Sequence, residues 1–124
     1  MEGYKVEIRK VSKQITAKER VMLKDTTNAI ALDELTQQGK VIIDPDFYAI
    51  LNVTNPKTED KEYMKYVIVD NAGTKYVTGS ESFFTAFVDI MEEMEDTNEE
   101  FSIEVYRMPS KNYKGKEFIT CSIV

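Results

Sequence analysis

FSIEVYRMPSKNYKGKEFITCSIV, residues 101–124, decides how the rest of the chain is read. Two runs alternate apolar and polar residues, Phe101 to Met108 and Glu117 to Val124, around a loop holding Pro109, Ser110, Asn112 and Gly115. That is the pattern of a β-hairpin with a long tip. Counting by twos puts Phe101, Ile103 and Val105 on one face, with Ile119, Cys121 and Ile123 as the matching face of the returning strand. These six are the expected core residues of the hairpin. The opposite face carries Tyr106 and Phe118 beside Thr120 and Ser122, and the tip adds Lys111, Tyr113, Lys114 and Lys116. Aromatic rings beside cations on one exposed ribbon are the chemistry that stacks nucleobases and holds phosphates.

Composition narrows the possibilities. A chain of 124 residues that is 42% hydrophobic suits one globular domain spanning 1–124. No run approaches the ~18 apolar residues of a membrane span. The start, MEGYKVEIRK, lacks the apolar stretch of a secretory signal, so a cytoplasmic protein with no membrane partner is expected. With one cysteine and no histidine, neither a thiolate zinc site nor a histidine base is expected, and Cys121 reads as a buried thiol. Asp44 with Asp46, or Asp25 with Asp33, is too sparse a set for two-metal phosphoryl chemistry. None of the five glycines forms a phosphate-cradling motif. No enzymatic activity, cofactor or metal is expected.

The net charge of −6 opposes a nucleic-acid partner, because Lys and Arg must make the phosphate contacts. The distribution of that charge points the other way. Between Tyr76 and Tyr106 there is no Lys or Arg, while Glu81, Asp89, Glu92, Glu93, Glu95, Asp96, Glu99, Glu100 and Glu104 all fall there. From Arg107 to Lys116 the balance reverses, with Arg107, Lys111, Lys114 and Lys116 and no acid. Segregated charge of this kind is compatible with binding a polyanion on one side only.

Along the chain, Tyr4 to Val11 alternates as a strand with one wet face, placing Lys10 in line with Tyr4, Val6 and Ile8. Residues 15–25, ITAKERVMLKD, fit either a short helix capped by Thr16 or a strand, with the strand favoured. Ala29 to Leu32 follows as the returning partner, and KVIID precedes Pro45. Phe47 to Thr54 and Glu62 to Asp70 read as a hairpin that continues through Asn71, Ala72 and Gly73 into Thr74 to Thr78. Ser80 or Ser82 caps a helix whose stripe is Phe83, Phe87, Ile90 and Met94, at spacings of four, three and four. Acidic residues crowd its C-terminal end, where the helix dipole disfavours them.

Strands, one helix, then a final hairpin match the order of an OB-fold-like five-stranded Greek-key barrel. Its strands would be Phe47 to Thr54, Glu62 to Asp70, Thr74 to Thr78, Phe101 to Met108 and Glu117 to Val124. Residues 1–44 would add an N-terminal β layer. The overall class expected is mainly β, and another all-β or α+β arrangement accommodates the same elements.

The stretches VDNAGTKYVTGSESFFTAFVDI and SKNYKGKEFITCSIV, within residues 66–124, resemble the single-stranded-DNA-binding proteins of small phages and related mobile elements of Gram-positive bacteria. The resemblance implies an OB-like fold in a bacterial host. It also implies sequence-tolerant binding that protects or organises single-stranded DNA during replication, with replication proteins as further partners. Bacterial proteins of this type often end in an acidic recruiting tail; this sequence ends instead on Cys121 to Val124. The binding residues expected are Lys111, Tyr113, Lys114, Lys116, Tyr106, Phe118 and Arg107, with Arg20 and Lys24, and Arg9 beside them, either extending the basic track or standing as ordinary strand-face charges. The alternatives are a tip that is basic only for solubility, and Tyr106 and Phe118 covered by the N-terminal layer. Tyr48, Tyr63, Tyr66 and Tyr76 divide between core and platform. A second function fits the 92–100 acidic cluster: a protein-interaction module or DNA mimic serving a replication accessory role. Oligomeric state is not legible.

Overall fold

A computed structural model describes residues 5–55, 57, 62–110 and 114–124. In order, its elements are β1 (Lys5–Val11), α1 (Ala17–Lys24), β2 (Ile30–Ala31), α2 (Leu32–Leu35), a 3₁₀ turn (Thr36–Gln38), β3 (Val41–Ile43), β4 (Pro45–Thr54), β5 (Glu62–Asp70), β6 (Lys75–Thr78), α3 (Glu81–Met94), β7 (Ile103–Pro109) and β8 (Glu117–Ile123). The strands form two open sheets, ordered β1-β4-β5-β6-β2 and β3-β7-β8. By contacts, residues up to Ile30 with Asp46–Gly79 make one compact unit, and Ala31–Pro45 with Ser80–Val124 make the other. Among the described residues no helix is long and apolar enough to cross a membrane.

The fold is strand-rich with α3 ahead of a terminal hairpin, but no closed barrel forms among the described residues. Closing the five expected strands requires free edges on β4 and β7. The segments read as an added layer occupy them: β1 pairs antiparallel with β4, and β3 pairs antiparallel with β7. A strand has two hydrogen-bonding edges, and here both are used.

In the first unit, β1 and β4 run in register from Lys5 opposite Thr54 to Ile8 opposite Leu51, and the register then slips so that Lys10 faces Ile50. Arg9 is the extra residue of a β-bulge, which reverses the side-chain alternation beyond it. Val11 therefore joins Val6 and Ile8 against the core of Phe47, Ala49, Leu51, Val67 and Val69, and Lys10, which simple alternation aligned with them, is exposed.

Residues 17–24 form a helix, not the favoured strand. Thr16 Oγ1 accepts from the Glu19 amide at 3.1 Å, and Glu19 Oε1 accepts from the Thr16 amide at 2.9 Å. This reciprocal capping box satisfies two amides at a helix start. At the other end, Lys75 Nζ donates to the carbonyls of Met22 and Asp25 at 2.7 and 2.5 Å. Leu23 is the one buried residue of α1. The return strand expected over residues 29–32 shrinks to β2, because Leu32 is buried as the first residue of α2. The β5–β6 turn is built on Asp70, whose Oδ1 accepts from the amides of Ala72 and Thr74, with Gly73 at φ +89°.

In the second unit, Ser80 Oγ accepts from the Phe83 amide at 3.3 Å, one turn into α3. Phe83, Phe84 and Phe87 are buried, and the rings of Phe83 and Phe87 stack with centroids 6.2 Å apart. Of the six hairpin residues expected in the core, Ile103, Val105, Ile119 and Cys121 are buried. Phe101 lies ahead of β7 and is half-buried, and Ile123, the last residue of β8, is 49% exposed. Ile43 of β3 completes that inner face.

Candidate nucleic-acid interface

The antiparallel register of β7 and β8 sets Glu104 opposite Ser122, Tyr106 opposite Thr120 and Met108 opposite Phe118. These pairs alternate with the buried pair Val105 and Cys121, so they lie on the outer face of the sheet. Ile42 of β3, opposite Glu104, extends the same face. Ile42, Met108 and Phe118 are 56%, 42% and 40% exposed, and Tyr106 is half-buried. Large apolar side chains thus sit uncovered on a sheet whose other face is packed.

The polar groups of this face hold one another in place. Tyr106 Oη lies 2.7 Å from Ser122 Oγ across the strands, which fixes the ring. Lys40 Nζ stands 5.9 Å from the centroid of the Tyr106 ring and 3.0 Å from Glu104 Oε1. The carboxylate of Glu104 is thereby offset by a cation on the same face. Glu117 meets Arg107 at 4.0 Å. A shallow cleft of about 430 Å³ beside Tyr106 is lined by Thr36, Gln38, Lys40, Arg107 and Glu117. Lys40 was missed in the sequence, where it is a lone cation ahead of a three-residue strand.

The expected site residues do not all gather here. Lys114 and Lys116 are exposed at the hairpin end, with Gly115 between them at φ +80° and Ser110 donating to the Lys116 carbonyl at 2.8 Å. Lys111 and Tyr113 lie outside the described residues. Arg107 follows the parity of Val105, opposite Ile119, and turns its guanidinium to α2 and the 3₁₀ turn. Its Nε donates to Thr36 Oγ1 at 3.2 Å, and Nη2 donates to the Asp33 carbonyl. These contacts serve backbone and hydroxyl acceptors at a helix end. Arg20 and Lys24 are exposed on α1, in the first unit. Tyr48 and Tyr66 are buried and offer no ring to a base; Tyr63 and Tyr76 are half-buried.

Burial pushes the Cys121 thiol up to about 11, which keeps it protonated and unreactive at neutral pH. Asp46 is paired with Lys13, Asp44 accepts from Ser102 and Asp25 accepts from Thr27. Among the described residues no group of three acidic or cysteine side chains is placed to hold a metal ion. No protein-family model, curated protein or solved structure matches the chain.

Proposed function

We propose that this chain is a non-catalytic, sequence-tolerant single-stranded-DNA-binding protein that protects or organises unpaired strands during phage or mobile-element replication. The observation that supports this best is the outer face of β3, β7 and β8. It presents Phe118, Met108 and the oriented ring of Tyr106, with Lys40, paired with Glu104, beside that ring and Lys114 and Lys116 exposed at the hairpin end. Every base has a π-face, so stacking binds without reading sequence. Lysines near the rings supply phosphate contacts, whose contribution falls as salt rises. The reading needs an open sheet face and does not require a closed barrel.

Fluorescence anisotropy with labelled oligo-dT, at two salt concentrations, tests it. Binding that weakens with salt, with similar affinity for mixed-sequence strands and weaker affinity for duplex, is the expected result. No binding at low salt overturns it.

A protein-interaction module is the second reading, favoured by Glu92, Glu93, Glu95, Asp96, Glu99 and Glu100. All six are exposed, and among the described residues none has an ion-pair partner. Failure to bind oligo-dT together with salt-sensitive binding to a basic polypeptide is the outcome that selects it.

A further inference from the structure

Positive charge in this acidic chain is concentrated in the first unit. Residues up to Ile30 with Asp46–Gly79 hold 11 Lys and Arg against 9 Asp and Glu, net +2; the other unit holds 5 against 13, net −8. Within the first unit the excess is narrower still. Seven cations, from Lys5 to Lys24, fall in residues 5–24 on β1, α1 and their connection, against Glu7 and Glu19 alone. All seven are exposed.

Two of them are spoken for: Lys5 pairs with Glu7 at 2.8 Å and Lys13 with Asp46 at 3.0 Å. Among the described residues, Arg9, Lys10, Lys18, Arg20 and Lys24 have no carboxylate within ion-pair distance. The bulge leaves Arg9 and Lys10 exposed in succession on an edge strand. Arg20 and Lys24 are one turn apart, so they share a side of α1, where like charges oppose helix formation. α1 is in contact with β1, so the cations of the strand and of the helix belong to neighbouring elements of one unit. Glu7, bonded to Lys5, has its carboxyl lowered mainly by that contact and further by the charges of Arg9 on β1 and Lys24 on α1. α1 contributes a single buried residue, Leu23, to the core. Packing alone therefore gives no reason for three cations on eight helical residues.

We infer that the exposed β1–α1 surface, centred on Arg9, Arg20 and Lys24, is a phosphate-backbone site for single-stranded polynucleotide, which grips the strand without touching its bases. This deepens the reading of the chain as a single-stranded-DNA-binding protein and rests on it. Guanidinium groups suit phosphate oxygens through paired donors. The exposed apolar residues of α1, Val21 and Met22, are aliphatic and few, which favours a polynucleotide over a lipid surface.

An abasic oligonucleotide, a sugar-phosphate chain with no bases, isolates this site from any stacking face. Wild-type protein is expected to bind it at low salt. Substituting Arg9→Glu, Arg20→Glu and Lys24→Glu together should lower that affinity at least about tenfold. The same change should flatten the log affinity against log salt slope by about 2, at roughly 0.7 for each phosphate of a single strand that is no longer neutralised. The corresponding triple Gln variant, which only neutralises, should show the same slope change and serves if the Glu variant does not fold. The inference is overturned if wild type ignores the abasic strand at low salt, or if both variants bind it as wild type does. Binding to anionic phospholipid vesicles but not to the abasic strand overturns it equally. Phe118→Ala separates the two readings: it should leave abasic binding intact while lowering affinity for oligo-dT. An unchanged oligo-dT affinity would remove the stacking face and leave this site standing.

Discussion

At Arg107 two demands meet on one side chain: strand alternation turns it toward the packed face, and a helix end lies within reach of its guanidinium. Its donors satisfy Thr36 Oγ1 and the Asp33 carbonyl. Replacing it with Ala removes both of these hydrogen bonds from a charged donor, at a cost of about 1–3 kcal/mol. Arg107→Ala should therefore lower the urea midpoint and leave the salt slope of oligo-dT binding unchanged, and Arg107→Lys should rescue little because it lacks the planar fork. Phe118 is the opposite case. Its ring is 40% exposed, so Phe118→Ala should barely move the thermal midpoint while weakening oligo-dT binding by about 1–3 kcal/mol, the worth of one stacked base. Cys121 adds a pH-dependent signature. Because its folded-state pKa is raised from 9.0 to about 11, its contribution to stability is fully present below pH 9 and is lost as pH rises through about 11. Urea titrations across that window should show stability falling, and Cys121→Ser should flatten the dependence.

At the scale of elements, α1 shows what a capping interaction decides. Residues 17–24 alternate well enough for a strand, yet Val21 is 70% exposed and only Leu23 is buried. Thr16 and Glu19 tip the balance locally, so Thr16→Ala should lower stability by about 1 kcal/mol and reduce far-UV helicity. Both capping partners stand in the sequence at the spacing that defines the motif. The β1 bulge is not legible there: nothing in KVEIRKV distinguishes Arg9 as the extra residue, because the slip belongs to the pairing with β4. The terminal hairpin is legible because period-two alternation is a property of one strand. Ile103, Val105, Ile119 and Cys121 are inward, and Tyr106 and Phe118 outward. Ile123 breaks the pattern because it closes β8, where less of the unit covers it. Which strands become neighbours is a different matter, set by long-range partners. The barrel expected from element order fails at β1 and β3, whose pairings with β4 and β7 leave no trace in local sequence.

On the scale of the whole molecule, charge and fold coincide in a way that the linear sequence shows only in part. The acidic run ahead of β7 is plain in the sequence, as is the basic hairpin tip. That the two stretches belong to one unit of net −8, while the 5–24 cations belong to another of net +2, follows from the fold. An acidic protein that binds a polyanion must confine its cations, since long-range repulsion otherwise slows every encounter. For the proposed complex with single-stranded DNA, raising ionic strength has two opposing effects, screening repulsion from the acidic unit and weakening the phosphate contacts. Counterion release governs such an equilibrium, so the proposed complex should weaken with salt across the whole range. The most direct measurement is an amide NMR titration of isotope-labelled protein with oligo-dT. Shifts are expected to concentrate at Tyr106, Met108, Phe118 and Thr120 and at Arg9, Arg20 and Lys24. Shifts confined to α3 and the acidic residues after it, or none at low salt, would rule out single-stranded-DNA binding at these surfaces.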